Sequence, residues 1–154
     1  MTIKDITAMV LRLPEVTDAC DGTQDTCLIR IETDEGIAGW GEVDSCPTVV
    51  KAIVDAPLSH QICNGLANAL RGEDPLAIEV CTDRMMNAAN YYGRAAAGLH
   101  AMAGINQALW DIAGKASGQP VYQLLGGPYK NKFRAYCSIL FGDTPDETYE
   151  LGRK

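Results

Sequence analysis

The sequence predicts an α+β protein: a three-stranded antiparallel sheet, a helical bundle after it, and a further strand with the start of a helix at the end. Three observations carry this reading. Residues 3–43 hold three apolar, strand-forming runs separated by turn chemistry; from Pro47 to Leu125 apolar residues recur every three or four positions; and after Gly126-Gly127-Pro128 the pattern returns to alternation.

Taken in order, Ile3 to Leu13 has apolar groups at both parities, as a strand covered on both faces would, and Pro14 ends it. The acidic stretch Glu15 to Asp25 reads as a loop. Thr26 to Thr33 alternates, with Cys27, Ile29 and Ile31 on one side. Asp34-Glu35-Gly36 supplies a turn, and Ile37 to Val43 returns as the second arm of a hairpin. Gly39 and Gly41 inside that arm mark a bulge or the close approach of another backbone.

Asp44 to Thr48 is a second loop, with Ser45 as a candidate helix cap and Pro47 in the first turn. Helical spacing follows in Val49–Val54, in Ser59–Leu70 and, behind Asp74 as cap and Pro75, in Leu76–Ala89. The longest periodic stretch carries Leu99, Met102, Ile105, Leu109, Ile112, Ala113 and Ala116 on one stripe of about seven turns. Gly98, Gly104 and Gly114 each cost such a helix about 1 kcal/mol relative to Ala. With the many alanines they leave a smooth face suited to wedging between layers. Asp111 and Lys115 pair four apart, Ser117-Gly118 stops the helix, and Pro120 opens a short one to Leu125. Asn131 to Leu140 alternates as a new strand. Thr144 caps and Pro145 begins a final helix.

Ala108 to Lys115, ALWDIAGK, followed by Gly118 to Gly127, GQPVYQLLGG, closely resembles a signature of the enolase superfamily, mandelate racemase and muconate lactonizing enzyme subgroup. Ile29 to Glu42, IRIETDEGIAGWGE, and Leu70 to Leu76, LRGEDPL, resemble its N-terminal capping domain as well. Asn106-Gln107 departs from the acid and apolar residue usual there. The resemblance implies an enolase N-terminal-like capping domain over residues 1–127, then, over 128–154, the first strand and helix start of a truncated TIM barrel. A complete barrel needs ~250 residues alone.

For the intact enzyme the resemblance implies Mg²⁺, a small-molecule carboxylate substrate and abstraction of the α-proton by a Lys or His base. The reaction would be that of an acid-sugar dehydratase or a 2-hydroxyacid racemase, a lyase or an isomerase. Catalytic groups and metal ligands are expected beyond Lys154, with none in this chain, which alone is expected to bind no metal and to be inactive.

Two loops, Thr17–Thr23 and Asp44–Thr48, match those that fold over the barrel mouth in such enzymes. Asp18, Asp21, Ser45, Cys46 and Thr48 are candidates to hydrogen-bond a polar substrate, and Cys20 and Pro47 to line an apolar wall. Ser138 falls where the first barrel strand would reach the active-site rim. Tyr91-Tyr92-Gly93-Arg94 is a further candidate, with Arg94 pairing an acidic group or lying in solvent. Glu42 reads as a structural carboxylate receiving hydrogen bonds. His60 and His100 are isolated, and His100 reads as a satisfied core or boundary residue. Trp110 and Tyr149 read as packing groups.

A net charge of −7 argues against nucleic acid or an anionic membrane as partner. Six cysteines without a C-x-x-C pair read as small hydrophobes in a reducing compartment. With no apolar leader in the sequence, a cytoplasmic homo-oligomer is expected. An alternative from another class is a free-standing interaction domain that self-associates through the surface a barrel would cover.

Overall fold

The computed structural model describes residues 1–17, 24–136 and 141–153. Strands β1 (Ile3–Arg12), β2 (Asp25–Thr33) and β3 (Ala38–Val43) form an antiparallel sheet in the order β1-β2-β3. The register sets Ile6 opposite Ile31, Arg12 opposite Asp25, and Cys27 opposite Val43. Alternation places Ile6, Ala8, Cys27, Ile29, Ile31 and Val43 on one buried face.

The helices lie on that face alone, which corrects the expectation of a doubly covered first strand. Leu11, on the opposite face, is exposed because among the described residues no element packs on that side of β1. The hairpin between β2 and β3 turns at Gly36, φ +83°, where the buried Thr33 hydroxyl donates to Ile37 O at 2.8 Å.

Helices α1 (Pro47–Asp55), α2 (Leu66–Leu70), α3 (Ile78–Ala88), α4 (Ala97–Ser117), α5 (Val121–Leu124) and α6 (Pro145–Arg153) follow. The expected second helix is cut short. Residues 59–63 instead form a tight turn, with Ser59 and His60 N–H both donating to Cys63 O. Gly65 lies so close to Ala56 that any side chain there would meet its carbonyl oxygen. The third helix starts two residues late, since Asp74 accepts from Leu76 N–H at 3.0 Å and closes a turn first. Ser45 is not a cap either: the N-cap of α1 is Cys46, without a side-chain hydrogen bond, while Pro47 opens the helix as expected.

The centre of the molecule is α4. Met102, Ile105, Leu109 and Ile112 are buried as their spacing predicts, whereas Leu99 and Ala116, the two ends of the predicted stripe, are exposed. Its C-terminal two-thirds lie along β3. A methyl group built on Gly41 would fall within bonding distance of Gly104 O, and one on Gly39 would overlap Ala108 O. The paired glycines are thus a contact between two backbones.

The same approach protects the outer edge of β3. Gln107 Oε1 accepts from Glu42 N–H at 3.2 Å, Asp111 Oδ2 accepts from Trp40 N–H at 2.9 Å, and Lys115 Nζ donates to Ala38 O at 2.7 Å. The match is metric: four residues of helix advance about 6 Å, and two of strand about 6.6 Å. Side chains at every fourth helix position therefore meet alternate strand residues. An edge so occupied offers no template for another chain.

Gly118, φ +66°, ends α4, and Gln119 N–H returns to Gly114 O at 2.9 Å. At α6 the expected cap forms a reciprocal box: Glu147 N–H donates to Thr144 Oγ1 and Thr144 N–H to Glu147 Oε2, each at 3.2 Å. Residues 131–136 do not form the expected strand. They are exposed, and among the described residues no strand lies beside them to take their hydrogen bonds; residues 137–140 of that expected strand lie outside the described residues. Tyr149 is likewise exposed, beside the Arg153 guanidinium, and does not pack.

Candidate functional site

The antiparallel register brings the end of β1, the start of β2 and the end of β3 together, and both expected capping segments leave the sheet there. An open cleft of about 540 Å³ lies among them, lined by the 11–13 and 24–26 stems together with Glu42 and Asp44.

The stems of the first segment are tied by one side chain. Gln24 accepts from Thr17 N–H at 3.0 Å and donates to Thr17 O at 2.6 Å, while Leu13 N–H reaches Gln24 O at 2.9 Å. Across the cleft the Thr26 hydroxyl donates to Glu42 Oε1 at 2.9 Å.

Asp25, Glu42 and Asp44 against Arg12 make this cleft acidic. Such a lining repels a substrate carboxylate but accepts hydrogen bonds from hydroxyl groups. Among the described residues no group of three or more His, Cys, Asp or Glu side chains is placed to hold a metal ion. The resemblance puts the Mg²⁺ ligands of the intact enzyme beyond Lys154, outside this set of residues.

Asp18, Cys20, Asp21 and Ser138 lie outside the described residues. Cys46 and Thr48 are exposed at the start of α1, with Pro47 buried beneath them. None of Ser45, Cys46 and Thr48 lines the cleft; among the second-segment residues it is Asp44 that does. Ser45 is half-buried, with its Oγ 3.1 Å from His100 Nδ1. His100 is therefore an exposed, engaged side chain and no core residue.

Arg94 neither faces the cleft nor hangs free, for its Nε donates to Met86 O at 2.8 Å in the last turn of α3. The Tyr92 hydroxyl donates to Asn64 O at 2.9 Å, and burial pushes it up to about 12. Tyr91 is exposed and meets the His60 ring edge to face at 4.7 Å. Buried Cys27 and Cys81 are raised above the ordinary thiol range, chiefly by desolvation, Cys81 to about 11. Thiols so placed are packing groups rather than nucleophiles.

Gln24, Thr26 and His100 are the residues that sequence reasoning missed. Thr26 stood at a strand end and His100 one place off an apolar stripe, but their partners lie 16 and 55 residues away, and no local pattern announces them.

A family model described as the mandelate racemase / muconate lactonizing enzyme N-terminal domain matches residues 6–126. D-galactonate dehydratase of Pectobacterium atrosepticum is 45% identical over 121 residues, 77% of this chain and 29% of the relative. A predicted mandelate racemase from Rhodobacter sphaeroides, known by its crystal structure, superposes with a TM-score of 0.81 at 34% identity, over 97% of this chain and 38% of that one. A mandelate racemase/muconate lactonizing protein from Paracoccus denitrificans, solved in complex with magnesium, gives 0.67 at 28% identity, over 84% and 31%. The chain thus spans well under half the length of these relatives.

Proposed function

The chain belongs to the mandelate racemase/muconate lactonizing enzyme family, and on that premise we propose that it is the substrate-capping portion of an acid-sugar dehydratase. The observation that carries this is its 45% identity to D-galactonate dehydratase of Pectobacterium atrosepticum over 121 residues. The acidic cleft supports the same reading, since a polyhydroxylated acid presents hydroxyl donors that Asp25, Glu42 and Asp44 can accept. Racemisation of a 2-hydroxyacid is the alternative chemistry for the intact enzyme.

In this proposal residues 1–127 form the cap and 128–154 enter the barrel. The metal ligands and the base that takes the α-proton are assigned to the sequence that follows Lys154. The part of these 154 residues is to cover the bound acid, to exclude water and to select among substrates, through the segments leaving β1 and β3. The intact enzyme is proposed as a homo-oligomer acting on a small-molecule carboxylate. The 154 residues alone are proposed to be inactive.

The test is an assay of the intact enzyme on a panel of acid sugars, D-galactonate included, with Mg²⁺ present. Dehydration yields a 2-keto-3-deoxy acid, detected as its semicarbazone. Turnover of these acids supports the reading. Racemisation of a 2-hydroxyacid without dehydration, read by polarimetry, overturns it in favour of the alternative.

A second reading rests on Tyr129, Phe133, Tyr136 and Phe141, each more than 80% exposed. Exposed aromatic side chains of this kind suit a chain that associates with itself. Sedimentation of the 154-residue chain tests it, and a monomer at high concentration rules it out.

A further inference from the structure

We propose that His100 is a positioning residue that holds the segment between β3 and α1 in place through Ser45. The inference rests on the capping role assigned to that segment above, and names what fixes its shape.

The segment is anchored at both sides. On the β3 side, Val43 is buried in the sheet; on the α1 side, Pro47 is buried at the first helical position. Between them, Cys46 caps α1 through its backbone alone, accepting from Val49 and Val50 N–H at 3.1 Å each. A side-chain contact from outside comes at Ser45, from the first turn of α4, 55 residues along the chain.

That contact is a consequence of the glycine packing. A methyl built on Gly104 would overlap Val43 Cγ2, so α4 crosses the end of β3 at backbone distance. Four residues earlier, one turn up the helix and on the same side, His100 is carried past the start of the segment. Its neighbours Ala97, Gly98, Ala101 and Ala103 have no side chain long enough to do the same. The imidazole Nδ1 meets the Ser45 hydroxyl at 3.1 Å. Neutral imidazole accepts there or donates, according to tautomer, and imidazolium donates, so the contact survives protonation.

Two results follow. The Ser45 hydroxyl is committed to the helix, which leaves Asp44 in the cleft and the exposed Cys46 and Thr48 as the groups this segment can turn toward a ligand. The orientation of those groups depends on a residue that itself touches no substrate.

Amide hydrogen exchange of the peptide spanning 43–50 tests this directly, in the 154-residue chain and without any substrate. His100→Ala and Ser45→Ala should each speed exchange there about three- to ten-fold, the loss of one hydrogen bond. The double variant should add nothing further, and His100→Asn, which keeps a polar atom near the Nδ1 position, should restore part of the protection. Exchange elsewhere in α4 should not change. Unchanged exchange in 43–50, or fully additive effects, overturns the inference.

In the intact enzyme, His100→Ala should raise KM more than it lowers kcat. If exchange accelerates while KM and kcat both stay as they were, the His100 contact stands and the capping role is what fails.

Discussion

The two halves of α4 do different work. From Gly104 onward the helix is fixed to β3 by backbone contact at Gly39 and Gly41, and by Gln107, Asp111 and Lys115 along the strand edge. Its start has no side-chain cap, leaves Leu99 exposed, begins at Ala96 with φ +47°, and reaches the segment between β3 and α1 through His100. One helix thus carries the fold at one end and touches the proposed capping segment at the other. Rigid packing at the far end is what makes a single hydrogen bond at the near end informative about position.

The largest expected effect breaks the rigid half. Gly41→Ala forces a methyl into the Gly104 carbonyl, and should cost about 3 kcal/mol in urea unfolding. A loss below about 1 kcal/mol would mean that α4 is free to shift.

Next comes the support under the near half, where α3 packs on α4 and the chain then runs through Tyr92. Cys81 has an ordinary value of 9.0 and stands at about 11 in the fold; Tyr92 moves from 10.0 to about 12. Burial keeps both protonated while the unfolded chain ionises. Their contribution is complete below pH 9, is lost first for Cys81 between 9 and 11, and then for Tyr92 as pH passes 10. Stability should fall by on the order of 2 kcal/mol by pH 11. Melting temperatures at pH 8, 9.5 and 11 that do not decline would show these groups to be solvated.

A smaller effect is expected at the strand edge. Asp111→Ala removes the acceptor of Trp40 N–H and the partner of Lys115, 2.6 Å away. Both groups regain water, so the cost should be about 1 kcal/mol. A double-mutant cycle with Lys115→Ala should show that the two act together.

The smallest change should be a gain. Ala96 holds a φ that L-residues rarely adopt, and Gly relieves that strain at some entropic cost. Ala96→Gly should add about 0.5–1 kcal/mol in thermal unfolding. A loss instead would mean that the methyl group packs.

Much of the fold was legible in the sequence. The alternation of Cys27, Ile29 and Ile31, the turn at Gly36, the stop at Gly118 and the Thr144–Pro145 helix start are local signals, and each appears where its chemistry puts it. The errors came where a neighbour decided. Leu11 alternated like a covered strand but no described element lies over it; Phe133 and Tyr136 alternated like a strand but no described strand lies beside them. The capping segments were placed by resemblance, and of their named residues Ser45 turned out to be engaged by a helix.

By itself, the sequence determined the order of the three strands and of the helices after them, the buried face of the sheet and the small-residue face of α4, because periodicity and turn chemistry act over a few residues. Only the tertiary structure decided that Gly41 meets Gly104, that Asp111 serves Trp40, and that Ser45 belongs to His100. Those pairings join residues 55 to 71 apart, and contact at that separation exists only after the helix has been laid against the strand.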